Sequence, residues 1–123
     1  MNWQHVENLL FKAWDNKLKL LSSYIDVSLY KEIEEQIPDS IITIESVFSI
    51  DDIKGFNLEP YFIDLEIIPF IGTLGDTVIC IGFGSHNTSK IFYFDFDFGC
   101  IPFGEDDLDQ FISKLRCKTE EVI

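Results

Sequence analysis

The sequence predicts one α+β domain over residues 1–123. An antiparallel β-meander should carry N-terminal and C-terminal helices packed on one face. Three observations predict it. Residues 66–99 read as three strands separated by short breaks that hold Gly72, Gly75, Gly84 and Asn87. The first twenty-odd residues repeat apolar side chains every three or four positions. Near the end, a run of acids leads into an apolar helical stripe that closes on Lys114, Arg116 and Lys118. Loops this short favour antiparallel neighbours, because a parallel return needs a crossover of about a dozen residues.

In chain order, Asn2 can cap a helix starting at Trp3. Its stripe is Trp3, Val6, Leu10, Ala13, Trp14, Leu21 and Tyr24. Ser28 is expected to cap a second, shorter helix through Tyr30, Ile33 and Ile37, which Pro38 ends. Residues 41–48 alternate in a β-rich segment. Ser49 with Asp52 predicts a capped helical turn closed by Gly55. Residues 57–64 read as a connection containing Pro60. Strands follow at 66–71, 77–83 and 90–98.

The last of these alternates most strictly. Phe92, Phe94, Phe96 and Phe98 should line one face, and Tyr93, Asp95 and Asp97 the other. The aromatic face is the one expected beneath the helices. Residues 100–104, with Pro102, read as a loop. The final helix is placed at 105–115, its acids at the positive end of the helix dipole. From Thr119 onward the chain is expected to fray.

Composition narrows the function classes. The chain has 46% hydrophobic residues and twelve phenylalanines, enough for a globular core. Its net charge is −13. Residues 55–113 hold ten acids and one base, Lys90. Such a surface repels phosphate backbones and anionic lipid and attracts basic proteins. Direct nucleic-acid or membrane binding is therefore not expected. Cys80, Cys100 and Cys117 are odd in number and lack metal-ligand spacing, which fits a reducing cytoplasm. The N-terminus has no basic region followed by an apolar block, so no signal peptide is expected. No apolar run approaches the length of a membrane span.

Motifs for chemistry are sparse. Gly82-Phe83-Gly84 lacks the rest of a phosphate loop. His5 and His86 are the only histidines, which excludes a histidine-rich metal site. On a strand, Asp95 and Asp97 would share a face within reach of one cation, with Asp76 or Glu105 beside them. A calcium loop would need glycine where Cys100 stands. A solvated or partner-facing acidic face is the simpler reading. No catalytic residue, metal or cofactor is expected.

Residues 65–115 resemble a family. Ile68-Pro69-Phe70, then Gly75-Asp76 with Ile79-Cys80, then the run 91–97, then Leu108, Phe111 and Leu115 look like the C-terminal half of the SUKH superfamily, which includes the Smi/Knr regulators and many bacterial immunity proteins. In the N-terminal half the likeness is confined to Tyr30, and Pro38-Asp39-Ser40 replaces a glycine turn. The resemblance implies a cytoplasmic immunity protein of a polymorphic or contact-dependent inhibition system. It would be monomeric until it binds and neutralises a cognate toxin, a basic nuclease domain fitting the acidic surface. The expected contacts are Asp76, His86, Tyr93, Asp95, Asp97, Glu105, Asp106, Asp107 and Asp109. The alternative is a Smi/Knr-like intracellular regulator or scaffold.

Overall fold

The computed structural model describes residues 2–56 and 60–118. The predicted α+β class holds: seven antiparallel strands form one sheet, flanked by short helices. In order these are α1 (Trp3–Asp15), α2 (Lys17–Leu21), β1 (Ser23–Asp26), α3 (Lys31–Glu34), β2 (Ile41–Val47), α4 (Ile50–Gly55), α5 (Pro60–Leu65), β3 (Ile67–Thr73), β4 (Thr77–Gly82), β5 (Lys90–Asp95), β6 (Gly99–Asp107), α6 (Leu108–Ser113) and β7 (Arg116–Cys117). Strand order is β6-β5-β4-β3-β2-β1-β7. Consecutive strands pair antiparallel from β1 to β6, while β7 joins the opposite edge beside β1.

That placement forces the sheet to curl. Six strand intervals of about 4.8 Å would put the flat edges about 29 Å apart. Yet Asp107 on one edge and Arg116 on the other are joined by one six-residue helix and a short link. About 1.5 Å per helical residue and about 3.4 Å per extended residue reach only about 19 Å. The edges must approach each other, and α6 straps them together.

Several expected elements shift. The first helix does not run to Tyr24. It breaks at Asn16, whose side-chain amide donates to the Lys12 carbonyl, and Tyr24 lies in β1 opposite Thr43. Asn2 caps α1 as expected, accepting from the His5 amide. The second cap is Asp26, not Ser28. Asp26 accepts from both the amide and the hydroxyl of Ser28 and starts a 3₁₀ turn at Val27–Leu29. The Ser49–Asp52 capping box forms as expected. Of the expected connection, 57–59 lie outside the described residues and 60–65 form α5. β5 ends at Asp95. The segment read as a loop at 100–104 belongs to β6, where Pro102 is tolerated because β6 is an edge strand. Glu105 and Asp106 are therefore strand residues, and α6 starts at Leu108 with its own Asp107–Gln110 capping box. The fraying expected from Thr119 falls outside the described residues.

The main correction concerns the sheet faces. Ile79, Ile81, Ile91, Tyr93, Ile101 and Phe103 enter the main core with Val6, Leu10 and Phe111 from the terminal helices. Phe94 lies on the other face with Ile67, Cys80 and Phe62 of α5. Helices thus cover both faces, and the terminal helices lie over the Tyr93 side. Phe96 and Phe98 follow the strand in the turn, 62% and 59% exposed. On the outer face, burial raises the Cys80 thiol well above its ordinary value and pushes Cys100 up to about 11.

Two outcomes follow. Phe111→Ala should cost about 3–5 kcal/mol in denaturant unfolding, whereas Phe98→Ala should change stability by only about 0.5 kcal/mol. The reverse order would contradict the face assignment. The two thiols hold their protons more tightly folded than unfolded. Their stabilisation is complete below the ordinary value of 9.0 and is lost as pH rises through it. Melting temperature should therefore fall between pH 9 and about 11, and fall less in Cys100→Ser; an identical decline in the variant would contradict the Cys100 contribution.

Candidate functional site

The nine expected contact residues divide between the two ends of β5, because its hairpins extend in opposite directions. Asp76, Tyr93, Asp95 and Asp97 lie toward the Asp95 end, where Asp95 pairs with Thr77 and Gly99. His86, Glu105, Asp106, Asp107 and Asp109 belong to the Lys90 end, where Lys90 pairs with Asp107. A six-residue strand separates the two groups by about 17 Å.

At the Lys90 end, acids are largely engaged within the chain. Asp106 is 7% exposed: its Oδ2 accepts from the Tyr30 hydroxyl at 3.0 Å and its Oδ1 from Lys114 Nζ at 2.8 Å. Burial and the Asp106 carboxylate push the Tyr30 phenol far above its ordinary value. Asp106 was expected among outward-facing acids; it is an internal anchor. Asp107 caps α6, accepting from the Gln110 amide at 2.9 Å. Asp109 pairs with Lys12. Lys90 Nζ donates to the Glu105 carbonyl at 2.8 Å. His86 is exposed, with Nδ1 3.6 Å from Glu66 Oε1. In the same loop, Asn87 is buried, accepting from the Gly84 amide and donating to the Leu65 and Glu66 carbonyls. A Cβ on Gly82 would lie 2.1 Å from the Asn87 carbonyl, so this glycine makes room for the loop rather than for a phosphate.

The Asp95 end is different. The β3–β4 turn, the β5–β6 turn and the loop entering β2 surround a groove of about 480 Å³. Asp39, Asp76 and Asp95 line it together with Leu74, Phe98 and Tyr93. No described lining residue is Lys, Arg or His. Asp95 Oδ1 accepts from the amides of Asp97 at 2.6 Å and Phe98 at 3.1 Å, which fixes the turn. Asp97 therefore sits in that turn, exposed, and does not share a strand face with Asp95. Tyr93, expected to point outward, is 4% exposed in the main core. Burial raises its phenol, opposed by the Thr77 hydrogen bond and reinforced by the charges of Asp95 and Asp39. The Asp39 loop and the end of β5, distant in sequence, thus both bring negative charge near Tyr93. Among the described residues, no three His, Cys, Asp or Glu side chains gather closely enough to hold a metal ion.

Asp39 and Leu74 escaped the sequence reading. A loop acid after a helix-ending proline and a leucine at a hairpin tip have no periodicity to mark them; Leu74 shares the β3–β4 turn with Asp76, and the antiparallel pairing of β2 with β3 brings the Asp39 loop alongside.

What this end offers is contact chemistry, charge set in apolar walls, on a small α+β domain. The model of the RhsPI family, Rhs-associated immunity proteins, matches residues 19–116, and the chain belongs to that family. It is thus a member of a family of immunity proteins for Rhs toxins. The match covers every strand of the meander and both walls of the groove. No curated protein matches the chain. No helix among the described residues is long and apolar enough to cross a membrane.

The Asp106 anchor generates a stability prediction. Asp106→Ala should cost about 2–3 kcal/mol, because it strands a buried phenol and removes the partner of Lys114. Asp109→Ala, which breaks an exposed pair, should cost under about 1 kcal/mol. Equal losses in urea unfolding would contradict the internal role of Asp106.

Proposed function

We propose that this chain binds the toxin domain of an Rhs protein and blocks it by occupation, with no chemistry of its own. The toxin is a basic nuclease domain, and the complex forms in the cytoplasm of the cell that makes both. The observation that carries this reading is the family match, joined to a net charge of −13. A nuclease must hold a polyanion, so its substrate surface is cationic. An acidic partner gains encounter rate by steering and competes for the same surface. Among the expected contacts, Asp76, Asp95 and Asp97 fit this role, whereas His86, Glu105 and Asp109 lie at the opposite end of β5 and stand outside the contact in this reading. Tyr93, Asp106 and Asp107 support the surface from within. The family favours toxin binding over the regulatory alternative.

A finer kinship with the SUKH superfamily is part of the proposal. It is supported by the placement of the resembling residues: Ile68–Phe70 on β3, Ile79 and Cys80 on β4, 91–95 on β5, and Leu108 with Phe111 on α6. Before it meets the toxin, the chain is a monomer.

The test uses the toxin domain encoded beside this chain's gene. Cells expressing that domain should survive only when the chain is co-expressed, and the purified chain should stop the domain from cutting plasmid DNA. Association should slow about tenfold or more between low and physiological salt, as screening weakens steering. Survival without the chain, or cleavage unaffected by it, would contradict the proposal. A toxin active on something other than nucleic acid would remove the nuclease claim alone.

A further inference from the structure

We infer that the groove between the two hairpin tips seats a protruding loop of the toxin that carries an arginine or lysine flanked by apolar residues. This rests on the toxin-binding reading above and adds the place and the chemistry of the contact.

Charge distribution selects this end of the sheet. The opposite end already contains cations: Lys12 meets Asp109, Lys114 meets Asp106, and Lys90 reaches the Glu105 carbonyl. In the groove, Asp39, Asp76 and Asp95 come from three separate segments with no cation among the described lining residues. Neither Asp39 nor Asp76 has an ion-pair partner among the described residues. A guanidinium or ammonium group entering there would meet carboxylates from several directions, and no cation among the described lining residues competes for them.

The walls state the second requirement. Leu74 is 71% exposed at one tip and Phe98 is 59% exposed at the other. Exposed large side chains facing one hollow, with carboxylates around them, match the apolar centre and polar rim of a protein interface. The stem of an arginine or lysine, or an apolar neighbour of it, covers such a wall while its charged head meets the acids.

The tips are held in place before binding. Asp95 Oδ1 fixes the Phe98 turn. Gly75 at φ +129° and Gly99 at φ +90° take backbone angles that other residues rarely adopt. A preset turn reduces the entropy lost on association. Beyond Asp39 a second hollow of about 400 Å³ continues toward Glu34, so the path accommodates an extended segment rather than one side chain.

The two sets of residues should separate kinetically. Carboxylates at the rim set the association rate, and the apolar jaws set dissociation. The experiment measures binding of the inactivated toxin domain encoded beside this gene to the full chain. The variants are Leu74→Ala/Phe98→Ala, Asp39→Asn/Asp76→Asn, and the opposite-end control Glu105→Gln/Asp109→Asn, each checked for an unchanged melting temperature. The jaw pair should weaken binding about tenfold or more through faster dissociation. The carboxylate pair should slow association at low salt and converge on wild type at high salt. The control should stay within about twofold. Jaw and carboxylate variants that both bind within about twofold of wild type would overturn the groove while leaving toxin binding intact. Wild-type chain that does not bind would defeat the toxin reading and the groove with it, and is seen before any variant is made. Sedimentation of the chain alone provides the last arm: self-association abolished by Leu74→Ala/Phe98→Ala would make the occupant a second copy and overturn the proposal.

Discussion

The fold depends on closing a seven-stranded sheet that α6 is too short to cross flat. Closure happens at a buried carboxylate. Asp106, on edge strand β6, accepts from Tyr30 beside α3 and from Lys114 just past α6. Tyr30 from the N-terminal half and Lys114 from just beyond α6 meet on its two oxygens. Phe103 stacks edge-on against both Tyr30 and Phe111, so the polar seam is backed by aromatic packing. A charge buried with two donors loses less to desolvation than a lone one, and it discriminates strongly against misplaced edges. Arg116 ties β7 to its neighbour β1, 3.0 Å from Asp26. Lys118 follows with hydrogen bonds to the Leu21 and Ile44 carbonyls.

Alternation along β5 then decides which chemistry faces where. Period two was plain in the sequence, and so was the antiparallel meander, because β-branched runs and short turns are local signals. The direction of each face was not local. A row of phenylalanines looked like the deeper face, yet isoleucine and tyrosine take the helices, and a six-residue helix with Phe62 suffices for the aromatics. The pairs Cys80–Phe92 and Ile79–Tyr93 show why: β4 offers isoleucine to one side and cysteine to the other, and β5 must match it. The strand also stops early, since Asp95 satisfies two turn amides and leaves Phe96 and Phe98 at the tip. Likewise, Glu105 and Asp106 resembled the start of a helix from composition alone, but the working cap is Asp107 with Gln110.

Charge was the most legible functional property and the least specific. Counting acids placed this chain among partners of basic proteins; it did not separate acids that stabilise the fold from acids that face outward. The structure divides them by counter-ion. Asp106 and Asp26 meet cations from the last segment of the chain, and Asp109 meets Lys12 from α1. Among the described residues the groove acids have none; the loops that carry them meet at one end of the neighbouring strands β2 to β6. That property connects fold to function: the antiparallel strand order that builds the sheet also brings Asp39 and Asp76 to one groove with Tyr93.

Hydrogen–deuterium exchange of the wild-type chain, with and without the neighbouring toxin domain, tests this connection most directly, because it reads the bound surface without altering a residue. The account predicts slowed exchange at 38–43, 73–77 and 95–98, with residues 86–90 and 105–109 unchanged. Protection confined to 86–90 and 105–109, with the groove segments exchanging as in the free chain, would contradict it.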